Sequence, residues 1–165
     1  MPLSRDAATA LPAAGPDAPV LEEWYADLVV GYHLVPPYDR LVTAEDLAAL
    51  DLRPRSLRRV AAENLAHQLE RVEVHGLPPV FTLSFEGSEA ALLTCDEVWS
   101  SLAEQVEGEV VVGAPARDVM FVTGSESQPG LAKVHRACER VFFAGQDNLL
   151  SRHLLVWRQG GWEAL

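Results

Sequence analysis

The sequence predicts an α+β fold: a mostly antiparallel sheet of about six strands built from hairpins, packed against three to four helices. Three observations predict it. From Val80 onward the apolar pattern alternates between period two and period 3.6. Strand-like runs come in neighbouring pairs, 80–85 with 89–94, 109–113 with 118–123, and 154–158 with 161–164. Helical patterns do not alternate singly with strands, which disfavours a doubly wound parallel sheet.

The elements follow in order. Residues 1–18, broken by Pro12 and Pro16 and lacking an apolar core, read as a flexible tail and not as a signal peptide. Residues 19–165 then read as a single α+β domain, a length that buries a real core. Val20, Leu21, Trp24, Tyr25 and Leu28 recur at helical spacing and predict a helix over 20–28. Val29 to Val35 is rich in β-branched and aromatic residues and predicts a strand ended by Pro36 and Pro37. Thr43 and Asp46 have the spacing of a capping box and open a helix through Leu50.

Pro54 suits the first turn of a helix over 54–73, with Leu57, Val60, Ala61, Asn64, Leu65, Gln68 and Val72 on its inner face. Val80 to Phe85 alternates as a strand, and Glu86-Gly-Ser88 turns it back into Glu89–Thr94. Thr94 and Glu97 resemble a second capping box, opening a helix with Val98, Trp99, Leu102 and Val106 inward. A helix from Ser127 carries Leu131, Val134, His135, Cys138, Val141 and Phe142 on one face and stops at Gly145. The last hairpin turns over Gln159-Gly160.

The net charge of −11 argues against a nucleic-acid binder or an anionic-membrane binder, since phosphates repel such a surface. No apolar run approaches the roughly eighteen residues of a membrane span. Twelve of the thirteen basic residues are arginine, with Lys133 the exception, and with the many alanines this fits GC-rich bacterial coding. Cys95 and Cys138 are far apart and read as buried small hydrophobes of a cytoplasmic protein.

Nucleotide-loop, zinc-protease and esterase-elbow motifs are absent from the sequence, and no cofactor or metal is implied. His135 and Cys138, three apart, could touch one metal, but their face is apolar and a second pair is missing. Arg117 and Asp118 sit between two strands, where they either present a fork to an anion or stabilise the turn. Glu89 is either a solvated strand end or a partner of Arg117, giving a Glu89/Arg117/Asp118 cluster at one sheet edge. Asn64, on an apolar face, is expected to be hydrogen-bonded. Ser151 is a turn residue or, with His153, a weak nucleophile candidate. Arg53, Arg55, Arg58 and Arg59 form a basic cluster, either a solvated face or a dock for an acidic partner. The four tryptophans read as core anchors.

The run Ala62-Glu63-Asn64-Leu65, the segment Glu89-Ala-Ala-Leu-Leu, Trp99, the stretch Val111-Val-Gly-Ala-Pro-Ala-Arg-Asp118 and Leu150-Ser151 before a terminal hairpin together resemble the YtpQ-like family of bacterial proteins (domain of unknown function 1444). The resemblance spans roughly residues 28–165 and is densest at the Pro-Ala-Arg-Asp turn. Ala91 and Leu150 depart from the family's usual Ser and Pro. The resemblance implies an intracellular α+β domain with Asn64, Glu89, Trp99, Arg117, Asp118 and Ser151 as its matching positions, and it implies no activity.

Two functions compete. The leading expectation is a non-enzymatic interaction or accessory module that binds another protein, itself monomeric or homodimeric. The alternative is a small-molecule binder or enzyme in which Arg117 grips an anion and Glu89 or Asp118 moves a proton.

Overall fold

A computed structural model describes residues 1–25, 27–34, 37–145, 148–158 and 160–165. Ala26, Val35, Pro36 and Gln159, which fall within the expected 20–28 helix, the 29–35 strand and its proline stop, and the last turn, lie outside the described residues.

The α+β expectation holds. Six strands form one antiparallel sheet, and β1 (Pro2–Ser4), β3 (Leu28–Gly31) and β2 (Leu21–Glu23) form a second, three-stranded one. The large sheet contains β6 (Glu73–Leu77), β7 (Val80–Ser84), β8 (Val110–Ala116), β9 (Val119–Gly124), β10 (Leu154–Arg158) and β11 (Gly161–Ala164). Their spatial order is β11-β10-β8-β9-β7-β6, so the buried β8 lies inside the sheet. A two-stranded ladder joins β4 (His33–Leu34) to β5 (Arg40–Leu41). The described residues contain five α-helices: α1 (Arg5–Thr9), α2 (Ala44–Ala49), α3 (Pro54–Ala66), α4 (Asp96–Leu102) and α5 (Gln128–Ala144).

Each face of the large sheet buries a different set of residues. On one face Phe81, Leu83, Val112, Met120, Val122 and Leu155 pack against Leu92, Trp99, Leu102 and Trp162. On the other, Val111, Leu154 and Val156 meet Val134 and Cys138 of α5. This alternation is the period-two pattern of the strands turned into two cores. A third cluster, Val30, Tyr32, Val42, Leu47 and Leu57, holds the amino-terminal elements to α2 and α3.

Four expected elements are corrected. The expected tail begins as β1 and α1, because Leu3 buries itself where β1 pairs with Val29 and its neighbours. The absence of a side chain at Gly31 admits the leucines of β1, β2 and β5, since a Cβ there would sit 2.9 Å from Leu41, 3.1 Å from Leu3 and 3.3 Å from Leu21. The expected helix over 20–28 is instead the β2–β3 hairpin, closed by bonds between Trp24, Tyr25 and Leu28. Here strand pairing overrides helical spacing. The long helix ends at Ala66, and Glu73–Leu77 becomes an exposed edge strand across the Pro78-Pro79 turn.

The fourth correction matters most for the core. Glu89–Thr94 is not a strand but a 3₁₀ turn with Ala90, Leu92 and Leu93 all buried. Its carbonyls do not enter a ladder; the indole N–H of Trp99 donates to Leu92 (2.9 Å) and that of Trp162 to Leu93 (2.8 Å). Thr94 does not cap α4 but donates its hydroxyl to Ala91, and Cys95 occupies the cap position. By contrast, Thr43 and Asp46 form the expected capping box. Arg40 donates to both oxygens of Asp46 (2.6 and 2.7 Å), holding that carboxyl well below the usual carboxylate range.

Both thiols are buried, and burial pushes Cys138 up to about 12 and Cys95 in the same direction. The thiolate is the reactive form, so neither cysteine should react with a disulfide reagent in the native protein at about pH 8. Titration with such a reagent should register both thiols only after denaturant is added; rapid reaction of the native chain would contradict this burial.

Candidate functional site

The Arg117 turn lies at the end of β8 and is clamped from two sides. A bulge between Gly113 and Ala116 lets Pro115, which has no N–H to donate, lie in an inner strand. The segment 148–151 runs beside it: Arg117 N–H donates to Asn148, Leu150 N–H to Pro115 and Ser151 N–H to Ala114. From the other side, Ala90 N–H donates to the Arg117 carbonyl at 2.9 Å. The chain thus brings Glu89, Arg117, Asp118 and Ser151 into one neighbourhood through the backbone, and their side chains then diverge.

Glu89 is buried, at 5 % exposure, and faces its own loop. One oxygen accepts from Phe85 N–H (2.8 Å) and Gly87 N–H (3.2 Å), while the other has no partner. It is therefore neither a solvated strand end nor a partner of Arg117; two backbone donors that a turn would otherwise leave bare explain its burial. Asp118 is exposed and accepts from the side-chain amide of Asn148. Among the described residues, no ion pair joins Arg117 to Glu89 or to Asp118. The expected three-residue cluster does not form.

Ser151 is 1 % exposed, donates its hydroxyl to Asp27 (2.8 Å) and accepts from His153 N–H (3.1 Å). It locks a turn, and its proton is already committed to a carboxylate. Asn64 is exposed on α3, so the expectation that it is a buried tie is corrected; the apolar stripe of α3 is narrower than the sequence suggested and passes beside it. His135 is exposed near Glu139 (3.7 Å), whereas Cys138 is buried, so the two do not converge.

Of the basic cluster at α3, Arg58 pairs with Glu22 (3.2 Å) and Arg59 with Glu63 (2.7 Å), while Arg53 and Arg55 are exposed. Glu22 also accepts from Tyr32 (2.6 Å), and burial together with that bond raises the phenol's pKa. Of the four arginines of the expected docking patch, Arg58 ties α3 to β2, while Arg59 pairs within α3 itself.

Two surfaces were not singled out in the sequence. Along α5, Lys133, Arg136, Arg140 and Phe143 are exposed at spacings of three, four and three, so they share one face about 15 Å long. Among the described residues none of the three cations has a carboxylate within ion-pair distance, and Phe143 is 87 % exposed. The 3.6 period of the helix carries the signal for this face, on the side away from its apolar stripe. The second surface is a groove of about 350 Å³ between the amino-terminal elements and the Arg117 turn. Leu3, Leu11, Leu41, Leu149 and Leu150 contribute its apolar wall, and the side chains of His33, Arg40 and Arg117 with the amino group of Met1 are its charged or titratable groups. Nothing local in the sequence marks this groove, because residues more than a hundred positions apart build it.

None of the described helices is long and apolar enough to cross a membrane. No family model, curated protein or solved structure matches the chain, so the resemblance to the YtpQ-like family rests on the residues quoted for it.

Proposed function

We propose that this chain is a non-enzymatic interaction module that docks an acidic segment of a partner protein on the outer face of α5. The observation that carries this reading is the stripe of Lys133, Arg136, Arg140 and Phe143: three cations without a carboxylate partner among the described residues and one exposed aromatic, on a protein of net charge −11. Cations left without carboxylates in so acidic a chain make one face complementary to an acidic partner. The bare aromatic supplies an anchor of the kind found at binding hot spots. The scattered acid, base and hydroxyl candidates support binding over catalysis, since Glu89 is held by backbone donors and Ser151 by Asp27. The family resemblance supplies no activity that points elsewhere.

The test uses fluorescence anisotropy with a labelled helical peptide rich in glutamate and leucine, at low salt. The triple variant Lys133→Glu, Arg136→Glu, Arg140→Glu is expected to weaken binding about tenfold or more, with most of the loss in the association rate. Its thermal stability should stay nearly unchanged, because all three side chains are exposed. Equal affinity for the wild type and the variant overturns the reading. A wild-type dimer that dissociates in the triple variant overturns it too, by making a second copy the occupant.

A further inference from the structure

Arg117 is a half-buried guanidinium whose one side-chain hydrogen bond among the described residues goes to a thioether, the sulfur of Met1 at 3.7 Å. A thioether is a weak acceptor, so most of the five donors of the fork are left to whatever enters the groove. The other groove cations are already occupied. Arg40 gives both arms of its fork to Asp46, and His33 faces Asp39 at 3.6 Å. The Met1 amino group donates to the Gly31 carbonyl at 2.7 Å, and burial lowers its pKa to about 6. Arg117 is therefore the one side-chain cation of the groove left without a carboxylate, beside a wall of leucines, and no carboxylate is among its described lining residues.

We infer that this groove binds a small amphipathic monocarboxylate, its carboxylate on Arg117 and its apolar tail along Leu3, Leu41 and Leu150. A planar fork matches a carboxylate with two parallel hydrogen bonds. A single free charge suits a monoanion, whereas a dianionic phosphate would leave a negative charge unmatched. The volume of about 350 Å³ is at the small end of ligand pockets, which typically combine apolar walls with a few placed polar groups. This site is separate from the α5 face and stands or falls without it.

Octanoate, octanol and inorganic phosphate are the probes, each titrated calorimetrically into the full chain. Octanoate is expected to bind saturably at one site and to shift the methyl resonances of Leu3, Leu41 and Leu150. Arg117→Gln should weaken octanoate about tenfold or more while leaving octanol unchanged, because only the charged contact is lost. Arg117→Lys, which keeps the charge but not the fork, should fall between the two and serves as the comparison if the glutamine variant does not fold. The triple α5 variant should bind octanoate as the wild type does. Absence of saturable octanoate binding, equal affinity in both Arg117 variants, phosphate binding tighter than octanoate, or shifts confined to methyls outside the groove would each overturn the inference.

Discussion

Trp99→Ala is expected to destabilise the protein by about 3–5 kcal/mol, the largest single-site loss in the chain. Trp99 is completely buried at the centre of the main core. It has three roles at once. Its ring fills the space between α4 and the large sheet. It stands edge-on to Trp162, with centroids 5.0 Å apart at an interplanar angle of 81°, a geometry that adds a favourable quadrupole contact. Its N–H gives the Leu92 carbonyl a second donor beside Cys95 N–H, inside a turn that has no ladder partner. Alanine would remove all three and leave a cavity that the rigid sheet cannot close. Trp99→Phe separates the terms, since it keeps most of the apolar area and loses the indole bond while the Leu92 carbonyl still accepts from Cys95 N–H, so about 0.5–1.5 kcal/mol is expected. Urea unfolding followed by circular dichroism measures both. A loss below about 1 kcal/mol for the alanine variant would mean that Trp99 does not organise this core.

The second large effect comes from adding a single methyl group. Gly113→Ala should cost about 1–3 kcal/mol through overpacking, although its backbone is ordinary extended strand. A Cβ at Gly113 would sit 2.5 Å from the sulfur of Cys138 and 2.7 Å from a methyl of Val134. Both contacts belong to α5, which lies directly on β8 at this point. The helix would have to lift, and Cys138 would lose cover. The readout is therefore double: lower stability in urea, and a Cys138 thiol that reacts faster with a disulfide reagent than in the wild type. An unchanged midpoint with an unreactive thiol would contradict the close approach of helix and sheet.

Some of this architecture was legible in the chain. The capping box at Thr43, the alternation of Val80–Ser84, the pair Val110–Ala116 and Val119–Gly124, the long α5 and its stop at Gly145 are all local patterns. Each rests on interactions a few residues apart or on a single unbroken period, so neighbours in sequence are enough to specify it. Where long-range partners compete, local reading fails. Leu21–Glu23 has helical spacing yet finds a better bond donor in β3, and Glu89–Thr94 has strand composition yet gives its carbonyls to two indoles, one of them 69 residues away.

The candidate site divides along the same line. The sequence by itself determined which chemistry is available: an acidic chain, few cations, nearly all of them arginine, and no catalytic motif. The tertiary structure alone decided which of those charges remain free. Arg58 and Arg40 are neutralised by Glu22 and Asp46, and Glu89 is turned inward to its own loop. Arg117 is left facing a leucine-lined groove, and Lys133, Arg136 and Arg140 are left facing solvent. The physical reason is range. Residue type sets a charge, but whether it is spent inside the fold depends on pairings within a few ångströms, and only the folded chain brings those partners together.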